Sequence, residues 1–125
     1  MRKMKTRKAY IGMWRITEMS EWDKDFIDLV ASGYIMLKSD GTGTLAFGAI
    51  EADLDCKIEK PGTIERLSFS FAGWDEGEDI SGHGWAEISG NIMSGWICFH
   101  MGDETTFKAL RKGTEKKKVP TRRCT

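Results

Sequence analysis

A chain of 125 residues holds one ordinary domain, and 40% hydrophobic content is enough for its core. With 30% charged residues and no apolar run near the roughly 18 residues of a membrane-spanning helix, a helical membrane protein is excluded. The net charge of zero hides an asymmetry. Residues 1–8 carry five Lys/Arg and no acid, and residues 111–125 carry seven Lys/Arg and one acid. Residues 9–110 are left with seven Lys/Arg against eighteen Asp/Glu, an acidic body of −11 between ends that total +11.

Fourteen glycines but only two prolines cut the chain into short segments, most of which alternate with period two. After a basic segment over 1–9, residues 10–19 read as a first strand. Ser20 is placed to N-cap a helix over about 21–31. Glu21 and Asp23 lie in its first turn, Trp22, Phe26, Ile27 and Val30 form an apolar stripe, and Gly33 ends it. Seven more strands follow at about 34–38, 43–50, 52–59, 64–73, 82–88, 92–99 and 105–111, and residues 113–125 form a flexible basic tail.

Turn chemistry predicts register. A two-residue turn within Lys60-Pro61-Gly62-Thr63 places Cys56 opposite Leu67 and Leu54 opposite Phe69. A Gly90-Asn91 turn places Ala86 opposite Gly95, Gly84 opposite Ile97 and Ile88 opposite Met93. Near Asp40-Gly41, Ile35 and Leu37 meet Leu45 and Phe47 only through a three-residue loop with a bulge.

Eight sequential strands with one apolar face each need a place to hide that face. Closing the meander into an eight-stranded antiparallel up-and-down barrel removes both open edges and encloses it, with the helix over one end. A two-sheet sandwich is the competing all-β architecture, but short sequential turns favour the meander. The barrel domain then spans 10–112. Its inward set includes Trp14, Ile16, Ile35, Leu37, Leu45, Phe47, Leu54 and Cys56. From the second half it takes Ile58, Leu67, Phe69, Phe71, Ile97, Phe99 and Phe107. Five Phe and one Trp are expected to fill the interior, although Gly84, Ala86 and Gly95 leave room for a concavity in one wall.

Gly12-Met13-Trp14 in the first strand and Arg111 at the end of the last together resemble the calycins: lipocalins, fatty-acid-binding proteins and avidins. The resemblance implies that Trp14 packs across the barrel floor beneath the Arg111 guanidinium, a contact favourable by roughly 0.5–2 kcal/mol. The wording from Trp14 through Phe26, and on to His100-Met-Gly-Asp103, is also similar to a group of small microbial proteins that carry no activity to transfer. The chain departs from secreted lipocalins in lacking a leader and a disulfide pair. Basic residues 1–8 run directly into Tyr10 and Trp14 with no apolar stretch or cleavage site. Cysteines 56, 98 and 124 show no CxxC spacing and suit a reducing cytoplasm, with Cys56 a core residue and Cys124 a free thiol.

The function classes follow from these placements. A small apolar ligand inside the barrel would meet Phe47, Phe69, Phe71 and Phe99 above a Trp14–Arg111 floor. The competing class is a homodimerisation module. Trp85 and Trp96 fall opposite each other on the outer face, with Trp74 nearby if its strand reaches that far. His83 opposite Cys98, with His100 two residues on, holds zinc-ligand chemistry but lacks a full set. The acidic loop Trp74–Asp79 reads as a solvated turn with no His or nucleophile at a telling spacing, and it lacks the EF-hand pattern. No G-x-S-x-G, H-E-x-x-H, Walker A or G-x-G-x-x-G element is present, so no catalytic set and no cofactor is implied. Lys116-Lys-Lys118 and Arg122-Arg123 are suited to phosphates, but the −11 body repels the same polyanion. Neither nucleic acid nor membrane is therefore expected as a partner.

Overall fold

The computed structural model describes residues 8–60 and 65–112. A 3-10 turn over Lys8–Tyr10 leads into β1 (Gly12–Met19) and a short α1 (Lys24–Ile27). The remaining strands are β2 (Tyr34–Leu37), β3 (Thr42–Phe47), β4 (Ile50–Glu59), β5 (Arg66–Asp75), β6 (Glu78–Ser89), β7 (Ile92–Phe99) and β8 (Glu104–Arg111). Each pairs antiparallel with its neighbour in sequence, and β8 returns to β1, giving a closed eight-stranded barrel. Tail residues 1–7 and 113–125, Cys124 among them, and residues 61–64 lie outside the described set.

Alternation runs along the strands, switching parity in β1 where Trp14 and Ile16 are followed by buried Met19. In β4, Ile50, Ala52, Leu54 and Cys56 are buried while Glu51, Asp53, Asp55 and Lys57 face solvent. Closure at β1–β8 places Trp14 opposite Arg111 and Ile16 opposite Ala109, with a bulge between Ile16 and Glu18. The Gly90-Asn91 hairpin has the register its turn demands, Ala86 on Gly95, Gly84 on Ile97 and Ile88 on Met93. Gly90 supplies a φ of 62° at the first turn position.

Three local expectations are corrected. Cys56 faces Phe69 and Leu54 faces Phe71, two residues beyond the register of a two-residue turn, because Glu59 pairs with Arg66 and the connection is longer. A shift of two keeps every side chain on its own face, so alternation alone cannot detect it. Ile35 pairs with Leu45 and Leu37 with Gly43, two residues away from the antiparallel register that would set Ile35 on Phe47 and Leu37 on Leu45. Lys38 N–H donates to the Thr42 carbonyl, closing a three-residue loop. What reads as strand 43–50 breaks at Gly48-Ala49, where a φ of 59° at Gly48 lets the chain reverse.

The helix is the third. It spans four residues, and its N-cap is Asp23, whose Oδ1 accepts from Phe26 N–H at 3.0 Å. Ser20 is taken by the barrel seam: its backbone N–H donates to the Thr106 carbonyl and its Oγ accepts from Thr106 N–H. Val30, 74% exposed, lies off the apolar stripe, whereas Ile27 is fully buried and Trp22 and Phe26 pack on the core.

The interior is filled by side chains. Rings run from Trp22 to Phe47 at 5.3 Å and from Trp22 to Phe99 at 6.2 Å. The run continues from Phe99 to Phe71 at 5.2 Å and from Phe71 to Phe69 at 6.5 Å. The small residues expected to leave a concavity are where these rings rest. A Cβ on Gly84 would lie 2.8 Å from Phe69, one on Gly82 2.7 Å from Phe71, and one on Gly95 2.9 Å from Phe107.

Candidate functional site

An up-and-down barrel sends alternate loops to the same end. The connections after β1, β3, β5 and β7 gather at one end, and the first turn, the β8 terminus and the remaining loops at the other. The two ends have different chemistry.

The lower end is sealed. Trp14 is completely buried, and its indole Nε1–H donates to the Tyr10 carbonyl at 2.9 Å. The Arg111 guanidinium lies over that ring, 4.3 Å from its centre. The same group donates to the Ala9 carbonyl at 2.8 Å and to Asn91 Oδ1 at 2.9 Å. Arg111 therefore spends its fork on two neighbouring segments and an aromatic face, the arrangement that a guanidinium, and not an ammonium, can complete. Trp14 and Arg111 form the floor that the G-x-W resemblance implies.

The upper end is open. Between the segment before α1 and the tips of β5–β8 lies a concavity of about 290 Å³. Trp22, Ile50, Ile80 and Phe99 give it apolar walls, and Asp75, Asp79 and Asp103 stand around it with Ser81 and His100. Its base is continuous with the aromatic run, since Trp22 and Phe99 meet edge to face. Asp75 shares the inward parity of Phe69 and Phe71, and Ile80 that of Gly82 and Gly84, so alternation aims both into the mouth. The rim is held by the β7–β8 loop, where Phe99 N–H donates to the Asp103 carbonyl and His100 N–H to the Ser81 carbonyl. Met101 takes a φ of 56° there and is 92% exposed.

Of the interior residues expected to contact a ligand, Phe99 lines this mouth. Phe47 and Phe71 stand behind it, Phe69 lies one ring deeper, and Trp14 and Arg111 are at the opposite end. Sequence reading missed Trp22, Asp75, Asp79, Ile80 and Asp103 as parts of one site. They sit on three separate connections that only closure of the barrel brings together.

A second concavity, about 500 Å³, lies on the outer wall of β4–β6 and is lined by Asp55, Lys57, Glu59, Ser68, Ser70 and His83 among others. It carries both signs of charge, and Phe69 and Cys56 are its apolar lining residues against Trp22, Ile50, Ile80 and Phe99 at the mouth, so the mouth is the better fit to a small-molecule site. Beside it, Trp85 and Trp96 do face each other across β6 and β7. Both are half-buried. Arg66 covers Trp85 at 4.9 Å, and Trp96 donates to Glu104 Oε1 at 2.9 Å with the His83 ring 5.4 Å away. Trp74, 52% exposed, pairs with Asp79, six residues up the ladder from the Ser68–Trp85 pair, and stays apart from them. His83 is opposite Cys98 as expected, yet among the described residues no three His, Cys, Asp or Glu side chains converge on a metal position. The Asp75–Glu78 hairpin turns through Glu76 and Gly77, at φ 53° and 90°, as a tight two-residue turn. No helix among the described residues is long and apolar enough to cross a membrane.

Compared with protein-family models, with curated proteins and with solved structures, the chain finds no match in any of the three. The closed antiparallel eight-stranded barrel is consistent with a calycin-like fold.

Proposed function

We propose that the protein is a non-enzymatic, calycin-like binder of a small apolar molecule, held at the upper mouth of the barrel. The supporting observation is the concavity of about 290 Å³ walled by Trp22, Ile50, Ile80 and Phe99, at the end away from the Trp14–Arg111 seal. That volume suits a ligand of one to three rings, and its mix of apolar walls with polar groups is that of a small-molecule pocket. Because Phe47, Phe69 and Phe71 fill the space below, the ligand rests on the aromatic run and does not thread through it. The neutral probe N-phenyl-1-naphthylamine tests this by its fluorescence. Saturable one-to-one enhancement is expected, abolished by Ile80→Arg and weakened by Trp22→Ala. Enhancement that neither substitution alters would refute the reading, as would none at all.

A competing reading is a homodimer packed through Trp85 and Trp96. It draws on the outer row Ser68–Trp85–Trp96–Thr106, in which two indoles stand between small side chains. Trp85→Ala then turns a dimer into a monomer in light scattering, and an unchanged mass removes that reading.

A further inference from the structure

The mouth has a sign. Asp75 and Asp103 contribute two carboxylates to its lining, Asp79 standing beside Ile80 on the outer face opposite Trp74, and among the described residues no lysine or arginine joins them. The nearby helix offers no compensation from Lys24, whose ammonium is held by Asp28 at 2.6 Å. Arg111, the cation that closes the floor, is at the far end and bonded to Ala9 and Asn91.

We infer that the ligand of this mouth is an organic cation: an aromatic or short aliphatic body carrying an ammonium group. The inference rests on the small-molecule reading of the same site and specifies its chemistry. The body lies against Trp22, Ile50, Ile80 and Phe99, and the ammonium points outward to Asp75 and Asp103. A carboxylate-headed ligand of the same body meets like charge at the rim and is rejected. Asp103 is exposed and Asp75 half-buried at the rim, so their attraction costs little desolvation and is screened by salt over about 8 Å at physiological ionic strength.

Three probes with one indole body separate the contributions by calorimetry at pH 7: tryptamine, neutral 3-propylindole and indole-3-propionate. Tryptamine is expected to bind about tenfold tighter than 3-propylindole, with indole-3-propionate weakest. Raising the salt narrows the gap between tryptamine and 3-propylindole in the native protein, leaving the neutral probe's affinity almost unchanged. Asp75→Asn with Asp103→Asn brings tryptamine to the neutral level. Equal binding of tryptamine and 3-propylindole, or a gap indifferent to salt, overturns the cation inference while the mouth remains a binding site. Failure of all three probes, or binding insensitive to Ile80→Arg, removes the site reading and this inference with it.

Discussion

Arg111 shows how one side chain can serve three partners. It stacks on Trp14 at 4.3 Å and donates to Ala9 and Asn91, so its loss unfastens the 3-10 turn, the β6–β7 turn and the floor together. Arg111→Met is expected to cost about 2–3 kcal/mol of stability, read as a lower urea midpoint. Arg111→Lys should recover less than half of that, because a single ammonium cannot present a planar fork. Gly84 is the converse case, a residue whose value lies in what it lacks. A Cβ there runs into the Trp96 carbonyl oxygen and the Phe69 ring, so Gly84→Ala should destabilise by about 1–3 kcal/mol through overpacking. The placing of Trp14 under Arg111 was legible from the resemblance that Gly12-Met13-Trp14 and Arg111 carry, and the two do pair across the seam. Gly84 was legible only in part. Period two placed it inward, but which ring would occupy the space depended on the β5–β6 register, which the turn at Glu76-Gly77 sets.

Among the elements, α1 is the most instructive because its four residues carry so little helical stability of their own. It is held from outside. Asp28 accepts from Lys24 at 2.6 Å and from Gly33 N–H at 2.9 Å, with Arg15 3.7 Å away. Gly48 N–H donates to the Ile27 carbonyl, and the Phe26 ring occupies the space where a Gly48 Cβ would be. The Lys24 hydrogen bond, followed by the Gly33 N–H, holds the Asp28 carboxyl below its ordinary value of 3.8. An acid with a depressed folded-state value contributes its full stability above the unfolded value and loses it as the pH falls through the folded one. Stability should therefore decline below about pH 4, and Asp28→Asn should lower the pH 7 stability and flatten that decline, as measured by urea unfolding at several pH values. The sequence marked a helix here correctly but overextended it. Ser20, an apt N-cap by residue type, had a stronger use in pairing with Thr105 and Thr106, 85 or more positions away. Val30 fitted the stripe only as long as the helix reached it.

For the molecule as a whole, closure distributes chemistry between two ends. Period two and sequential turns were enough to predict eight strands and a barrel, because a single apolar face on each strand has few other places to go. The mouth was less legible. Trp22 was assigned to a helix stripe and Asp75–Asp79 to a solvated turn, each sensible locally, and only the rule that alternate loops share an end unites them with Asp103. The separation of ends predicts a spectroscopic asymmetry. Saturation with 3-propylindole should perturb Trp22 emission and leave Trp14 unaffected, so Trp22→Phe should abolish the ligand-induced change, and a change that persists would place the probe elsewhere.

The β1–β8 seam has a consequence for biosynthesis. Trp14 waits for Arg111, and Ile16 for Ala109, until every strand between them has been synthesised. Until β8 leaves the ribosome, β1 and β7 are bare edges on a nascent sheet, open to pairing with other chains. A message truncated before Thr105 should thus yield an aggregating fragment instead of a smaller barrel, and refolding should be slow for a chain of this size, its last contact being the most distant one.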